Sequence, residues 1–187
     1  MRKIIIAIIC IAFLSTISSA QEKLHINISN SSIKWIGEYT FYFGGHDGFI
    51  QFTKGYFIKT GDVITGGEFT INMNSITNTD IKTKKGNESL VMHLKDSDFF
   101  DVKKYPFAKL TITSVEYLED TSMRIRANLT LKGITKPIRF NATPNYQEKK
   151  LTAKFKIDRR AWNVNYKSKF KDGAISDAIG FEVTLNL

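Results

Sequence analysis

Apolar and polar residues alternate along most of the chain, and this pattern predicts β-strands. The clearest run is 123–131, in which five apolar residues alternate with arginine, asparagine and threonine. Successive side chains of a strand point to opposite sides, so such a run has one apolar and one polar face. Comparable runs lie at 24–28, 33–43, 49–58, 69–73, 108–113, 138–142, 151–157 and 181–187. Roughly eight strands of this kind predict a closed antiparallel barrel or a sandwich.

Glycine and proline mark the breaks between these runs. The sequence Gly-Gly-His-Asp-Gly at 44–48 predicts a turn, because its residues tolerate positive φ. Pro137 lacks a backbone N–H, so it is expected to stand at the start of its strand rather than inside it.

One stretch, 90–106, departs from the strand pattern and predicts the only helix. Leu90, Val91 and Leu94 share one helical face, and Asn87 is expected to cap the helix at its N terminus. A helix of about three turns is not stable alone in water. We therefore expect its apolar side, and the two phenylalanines after it, to pack over one end of a barrel.

The first 20 residues predict a secretory signal peptide. Basic residues precede an apolar run at 4–17, and small residues at 18–20 suit cleavage after Ala20. A membrane anchor is the alternative, but this run is shorter than the ~20 residues that a spanning helix needs. Residues 21–187 would then form one periplasmic or secreted domain.

Charge and cysteine content narrow the classes of partner. The only cysteine, Cys10, lies in the predicted signal peptide, so the mature chain would hold no disulfide. The net charge is +9, but the lysines mostly alternate with apolar residues, as on a solvated strand face. Nucleic-acid binding is therefore not expected, and transient contact with an anionic membrane surface is the more natural use of the charge. Edge exposure beside the connector at 76–85 would allow a homodimer.

Catalytic and metal-binding motifs are missing from the sequence. There is no Gly-x-Ser-x-Gly, His-Glu-x-x-His or Walker loop. His25, His46 and His93 are isolated from one another, and a lone histidine in a turn or on a helix is more often a surface or packing residue. The alternating faces show no inward acid or histidine. We therefore expect no enzyme activity, no metal and no cofactor.

The aromatic content bears on whether the interior is filled. Fourteen Phe, seven Tyr and two Trp are more than the core of a small barrel needs. An eight-stranded barrel has room for one small ligand, which these rings could line. From the pattern alone, rings that simply fill the core are the simpler interpretation.

Blocks of sequence along the whole mature chain resemble the YceI-like family. The stretch HLKDSDFFDVKKYP at 93–106 is similar to the family signature HLKS-DFFD-x-x-KYP, and LTLKGITKP at 129–137 is similar to its LTIKGVTKP hairpin. Further matching blocks lie at 33–37, 45–48, 157–159, 162–166 and 175–179. The resemblance implies an eight-stranded lipocalin-like β-barrel with one short helix. Members are linked with polyisoprenoids, isoprenoid quinones and fatty-acid derivatives, and are typically exported bacterial proteins.

This resemblance favours a hollow barrel that binds a long apolar lipid without chemistry. Apolar walls would supply affinity, and one or two polar groups at the mouth would select the head group. The inward faces are inferred from apolarity alone. The residues expected to bind the ligand are Trp35, Phe69, Ile71, Leu110, Ile112, Phe140, Phe155 and Phe181, with Phe99 and Phe100 closing one end.

Two other functions stay open at this stage. An envelope protein–protein interaction module with a side-chain-filled barrel would bind no lipid. A lipid hydrolase or isomerase would need a titratable group inside the tunnel. Asp158, Arg159 and Trp162 fit a structural corner as well as they fit a site.

Overall fold

The computed structural model describes residues 20–40, 43–166 and 175–187. Within them, the strands and the helix are β1 (Gln21–His25), β2 (Ser32–Tyr39), β3 (Gly45–Thr60), β4 (Val63–Asn72), α1 (Lys84–Lys95), β5 (Phe107–Tyr117), β6 (Met123–Leu131), β7 (Ile134–Asn145), β8 (Lys150–Asp158) and β9 (Ile175–Asn186). Three 3-10 turns span Ile28–Asn30, Met73–Ser75 and Arg159–Trp162. Of the helices described here, none has the length and apolar character needed to cross a membrane. The predicted signal peptide lies outside these residues except for Ala20, and it stays a prediction.

Eight strands close into an antiparallel barrel, which confirms the predicted fold class. Each strand from β2 to β9 pairs with the next, and β2 pairs with β9 to complete the circuit. This last pairing places Trp35 opposite Phe181. The remaining strand, β1, pairs with the last five residues of β3, which also pair with β4.

Side-chain burial alternates along the strands as the sequence predicts. On β6 all five apolar side chains are buried, whereas Arg126 and Asn128 between them are exposed. The buried side chains form two clusters. One cluster includes Leu94 of α1, and the other surrounds Phe57 and Met123. We call the barrel end that carries α1 the helix end and the opposite end the far end.

The helix begins earlier than the sequence indicated. Thr83 occupies the N-cap position, so the prediction that Asn87 is the cap is wrong. Asn87 lies in the first turn, and its side-chain amide donates hydrogen bonds to the carbonyls of Asn78 and Ile81. The residue that was expected to precede the helix as its N-cap therefore lies inside it and ties it to the connector.

The segment after α1 is fastened to the barrel by one lysine. Phe99 and Phe100 belong to this segment, and both are buried. Lys132, in the turn between β6 and β7, donates hydrogen bonds from Nζ to the carbonyls of Ser97, Phe99 and Asn163. The turn thereby fixes the two rings at the helix end, as the sequence led us to expect.

The pairing between β7 and β8 is short. It covers four residue pairs, from Ala142–Ala153 to Asn145–Lys150. The earlier part of β7 pairs with β6. Pro137 lies there, inside the strand, so the prediction that it starts the strand is wrong. Since β8 does not pair with this half of β7 in the described register, a residue without an N–H is tolerated. We call this region, 134–141 of β7 with 154–158 of β8, the β7–β8 seam.

Candidate functional site

The barrel encloses a cavity of about 650 Å³. Every strand from β2 to β9 contributes to its wall, together with α1 and the segment after it. Leu110, Phe155 and Phe181 are only half-buried and pack against both buried clusters, so the cavity lies where the two clusters meet. This volume falls within the usual range of small-molecule pockets. It argues against a barrel filled by its own side chains.

All ten residues predicted to bind the ligand lie on the cavity wall. They are Trp35, Phe69, Ile71, Phe99, Phe100, Leu110, Ile112, Phe140, Phe155 and Phe181. The apolar wall also includes Ile33, Phe57, Ile125, Leu151 and Leu185, which share the same alternation and could have been found from it. Location on the wall does not test contact with a lipid, so the binding role stays a prediction.

Three aromatic rings cover the inside of the β7–β8 seam. Phe140 and Phe155 stack with their centroids 4.4 Å apart and their planes at 15°. Phe155 also lies 5.5 Å from Phe181 on β9. The rings therefore join β7, β8 and β9 where β7 and β8 share no backbone pairing in the described register.

Polar groups on the wall are concentrated at the helix end. They are Tyr39, His46, His93, Arg159, Tyr166 and Ser176. The expectation that no histidine faces the interior is therefore wrong. His46 belongs to β3, which begins at Gly45, and not to the predicted turn, so it shares the inward phase of Ile50. His93 stands three residues after Leu90, on the helical face that the sequence had already identified as inward.

A connector between β4 and α1 completes the environment of His46. It runs along the start of β3, where the N–H of Thr77 donates to the carbonyl of Phe49 at 3.0 Å. The indole Nε1 of Trp35 donates to the carbonyl of Thr77 at 2.9 Å. A Cβ on Gly48 would lie 1.8 Å from that carbonyl oxygen, so only glycine permits this approach.

Tyr39, His46 and Asp80 form a hydrogen-bonded relay at the helix end. The imidazole Nδ1 lies 2.8 Å from the Asp80 carboxylate, and Nε2 lies 2.9 Å from the Tyr39 hydroxyl. A carboxylate can only accept, so Nδ1 of the neutral ring carries the proton. Nε2 then accepts the hydrogen bond that the Tyr39 hydroxyl donates. Sequence analysis missed this relay because Asp80 lies 34 residues from His46.

The carboxyl of Asp80 is held in its ionised form. Burial raises its pKa, but hydrogen bonds from His46, from the backbone N–H of Asp47 and from Asn78 outweigh that effect. Together they lower the pKa from 3.8 to about 2. Ionised Asp80 stabilises the folded chain, and this contribution is complete above the unfolded pKa and is lost as the pH falls through about 2.

We expect Asp80→Asn to destabilise the protein by about 1 kcal/mol at pH 7, because the carboxylate is partly solvated and its bonds are screened. The difference from wild type should shrink below pH 4 and vanish near pH 2, where Asp80 itself becomes protonated. Urea denaturation at a series of pH values measures this. A difference that stays constant down to pH 2 would contradict the assignment.

His93 has an unusual hydrogen-bonding state. Its Nδ1 lies 3.7 Å from Asp98, and its ring packs edge-on against Tyr166 with centroids 4.3 Å apart. Nε2 is buried and has no hydrogen-bond partner among the residues that the structure describes. A buried polar atom without a hydrogen-bond partner is rare in native proteins, because leaving it unpaired destabilises the fold.

The residues after β8 form a structural corner. Arg159 is 4% exposed and donates to the carbonyls of Val164 and Ser176 and to the carboxylate of Asp177. Trp162 is buried and donates from Nε1 to the carbonyl of Leu129 at 3.0 Å. Asp158 accepts from the backbone N–H of Arg160. These contacts form a structural corner, and Arg159 also lies on the cavity wall.

The described part of the chain contains no group of three or more histidine, cysteine, aspartate or glutamate side chains placed to hold a metal ion.

Comparison with known proteins places the chain in a family. A family model described as YceI-like domain matches residues 16–187. A UPF0312 protein of Pseudomonas putida is 46% identical over 57 residues, which are 30% of each chain. Protein YceI of Salmonella arizonae is 38% identical over 73 residues, which are 39% of this chain and 34% of the relative. The chain thus matches about a third of the length of these curated relatives.

Two solved structures share the fold. Burkholderia cenocepacia BcnA superposes with a TM-score of 0.70 at 16% identity, covering 86% of this chain and 98% of BcnA. A polyisoprenoid binding domain from Saccharophagus degradans superposes with a TM-score of 0.57 at 14% identity, covering 86% and 95%. Since the family model spans residues 16–187, the chain belongs to the YceI-like family.

Proposed function

We propose that this protein binds one long-chain isoprenoid or acyl lipid inside its barrel and carries or sequesters it without chemical change. The observation that carries the proposal is the apolar cavity of about 650 Å³ between the two buried clusters. Burial of a methylene group stabilises by ~0.8 kcal/mol, so a dozen buried carbons offer roughly 10 kcal/mol before ordering costs. The affinity of such a wall for a lipid therefore rises with the length of the lipid chain.

Two further observations support a lipid ligand. The Saccharophagus degradans domain, which shares this fold, is named for binding polyisoprenoid. The wall is lined by half-buried rings such as Phe140 and Phe155, which would be costly to leave facing water. Export through a signal peptide at 1–20, and a periplasmic or secreted location, belong to the same proposal.

Extraction of the purified protein with organic solvent tests the proposal. Mass spectrometry of the extract is expected to find about one lipid per chain. Delipidated protein should then bind added prenols or fatty acids, measured as a change in tryptophan fluorescence, because Trp35 lies on the cavity wall. The recovered lipid should be unchanged after incubation. A protein that releases no lipid and takes up none would refute the proposal, and a modified lipid would refute binding without chemistry.

A further inference from the structure

The two ends of the cavity differ in polarity. At the far end the wall consists of apolar side chains such as Ile33, Phe57 and Leu185. At the helix end it carries the Tyr39–His46–Asp80 relay and His93. An amphipathic ligand avoids burying its polar group among apolar side chains, where no partner exists. Its polar head therefore belongs at the helix end, with its tail toward the far end.

The relay fixes which way the hydrogen bond at Tyr39 points. Oδ1 of Asp80 already accepts from the backbone N–H of Asp47 and from the Asn78 amide, while Oδ2 accepts from Nδ1 of His46. With the imidazole proton on Nδ1, Nε2 can only accept, so Tyr39 must donate to it. The hydroxyl oxygen of Tyr39 then keeps its remaining lone pair for another partner, and that lone pair can only accept.

Resting on the proposed lipid binding, we infer that the relay makes Tyr39 a hydrogen-bond acceptor for the lipid and so selects head groups that carry a hydroxyl. A long-chain alcohol or a phenol fits this chemistry. An ether or ester of the same length offers no proton, and it would leave the Tyr39 lone pair without a hydrogen-bond donor from the ligand. His93 lies at the same end of the cavity, and its buried Nε2 also has no hydrogen-bond partner among the described residues.

The relay also predicts what reverses the preference. In Asp80→Asn, the two donors on Oδ1 hold the amide oxygen in place, so the amide NH₂ faces His46. That NH₂ donates to Nδ1 and moves the imidazole proton to Nε2. Nε2 then donates to the Tyr39 oxygen, and the Tyr39 proton turns toward the cavity. The site changes from an acceptor to a donor, and an ether becomes as acceptable as an alcohol.

The test compares geranylgeraniol with its methyl ether on delipidated protein. Wild type is expected to bind the alcohol about tenfold more tightly, as the loss of one hydrogen bond implies. Tyr39→Phe should abolish the preference by lowering the affinity for the alcohol. Asp80→Asn should also abolish the preference, but by raising the affinity for the ether. If the role of Asp80 were purely structural, Asp80→Asn would lower the affinity for both ligands together.

Asp47→Asn is the matched control. It removes the same charge from the neighbouring strand residue, whose carboxylate pairs with Lys34 and does not join the relay. It should keep the tenfold preference. Wild type that binds both ligands equally, or an Asp80→Asn variant whose affinity for the ether does not rise, would overturn the inference while the proposed function stands. Wild type that binds neither ligand, and no fatty acid, would refute the proposed function itself.

Discussion

Replacing Leu110 with tryptophan should weaken lipid binding about a hundredfold and leave the barrel nearly as stable as wild type. Leu110 stands at mid-barrel on β5, half-buried, on the cavity wall between the two clusters. An indole there would exclude several carbons of a bound chain, at ~0.8 kcal/mol for each. Its own packing would fill empty space, so the stability should change by less than about 1 kcal/mol. Lipid titration and urea denaturation measure the two effects.

Thr111→Trp provides the control for this substitution. Thr111 follows Leu110 on β5 and is exposed on the outside of the barrel. The same side chain placed there should leave lipid affinity unchanged. Equal loss of binding in both variants, or undiminished binding in Leu110→Trp, would show that the lipid does not occupy the middle of the barrel.

Arg159→Ala should lower the free energy of unfolding by about 3 kcal/mol, because it removes charge-assisted hydrogen bonds from a buried corner. The substitution leaves the carbonyls of Val164 and Ser176 without their donor. It also removes the link between the end of β8 and Asp177 at the start of β9. Urea denaturation monitored by circular dichroism gives the value.

The neighbouring arginine is a stringent control for that prediction. Arg160 also pairs with Asp177, but its side chain is 56% exposed. Arg160→Ala should therefore cost much less stability than Arg159→Ala, because surface ion pairs generally contribute little. If the two substitutions cost the same, the corner does not depend on burial of Arg159.

The strand positions and the inward faces were predictable because each depends on local alternation. Leu110 and Phe155 could be assigned to the wall from their apolar neighbours at intervals of two residues. His46 could not, because glycines on both sides made its strand look like a turn. Its partner Asp80 reaches it through a connector whose course depends on long-range packing beside Gly48.

The other differences have similar causes. Threonine and asparagine are both acceptable N-cap residues, so the sequence alone does not decide between Thr83 and Asn87. The choice depends on the hydrogen bonds that the Asn87 side chain donates to the carbonyls of Asn78 and Ile81. Pro137 is tolerated inside β7 because β8 diverges from it, and strand divergence leaves no mark in the local pattern.

That divergence has a mechanical consequence. Of the strand pairs that the structure describes, β7 and β8 share the fewest residue pairs, so parting them disrupts fewer backbone hydrogen bonds than parting any other two. We therefore expect thermal opening of the wall to concentrate at the β7–β8 seam, where the stacked rings of Phe140 and Phe155 hold the two strands together. Under the proposed function, we expect the lipid to leave through this seam, without displacement of α1 from the helix end.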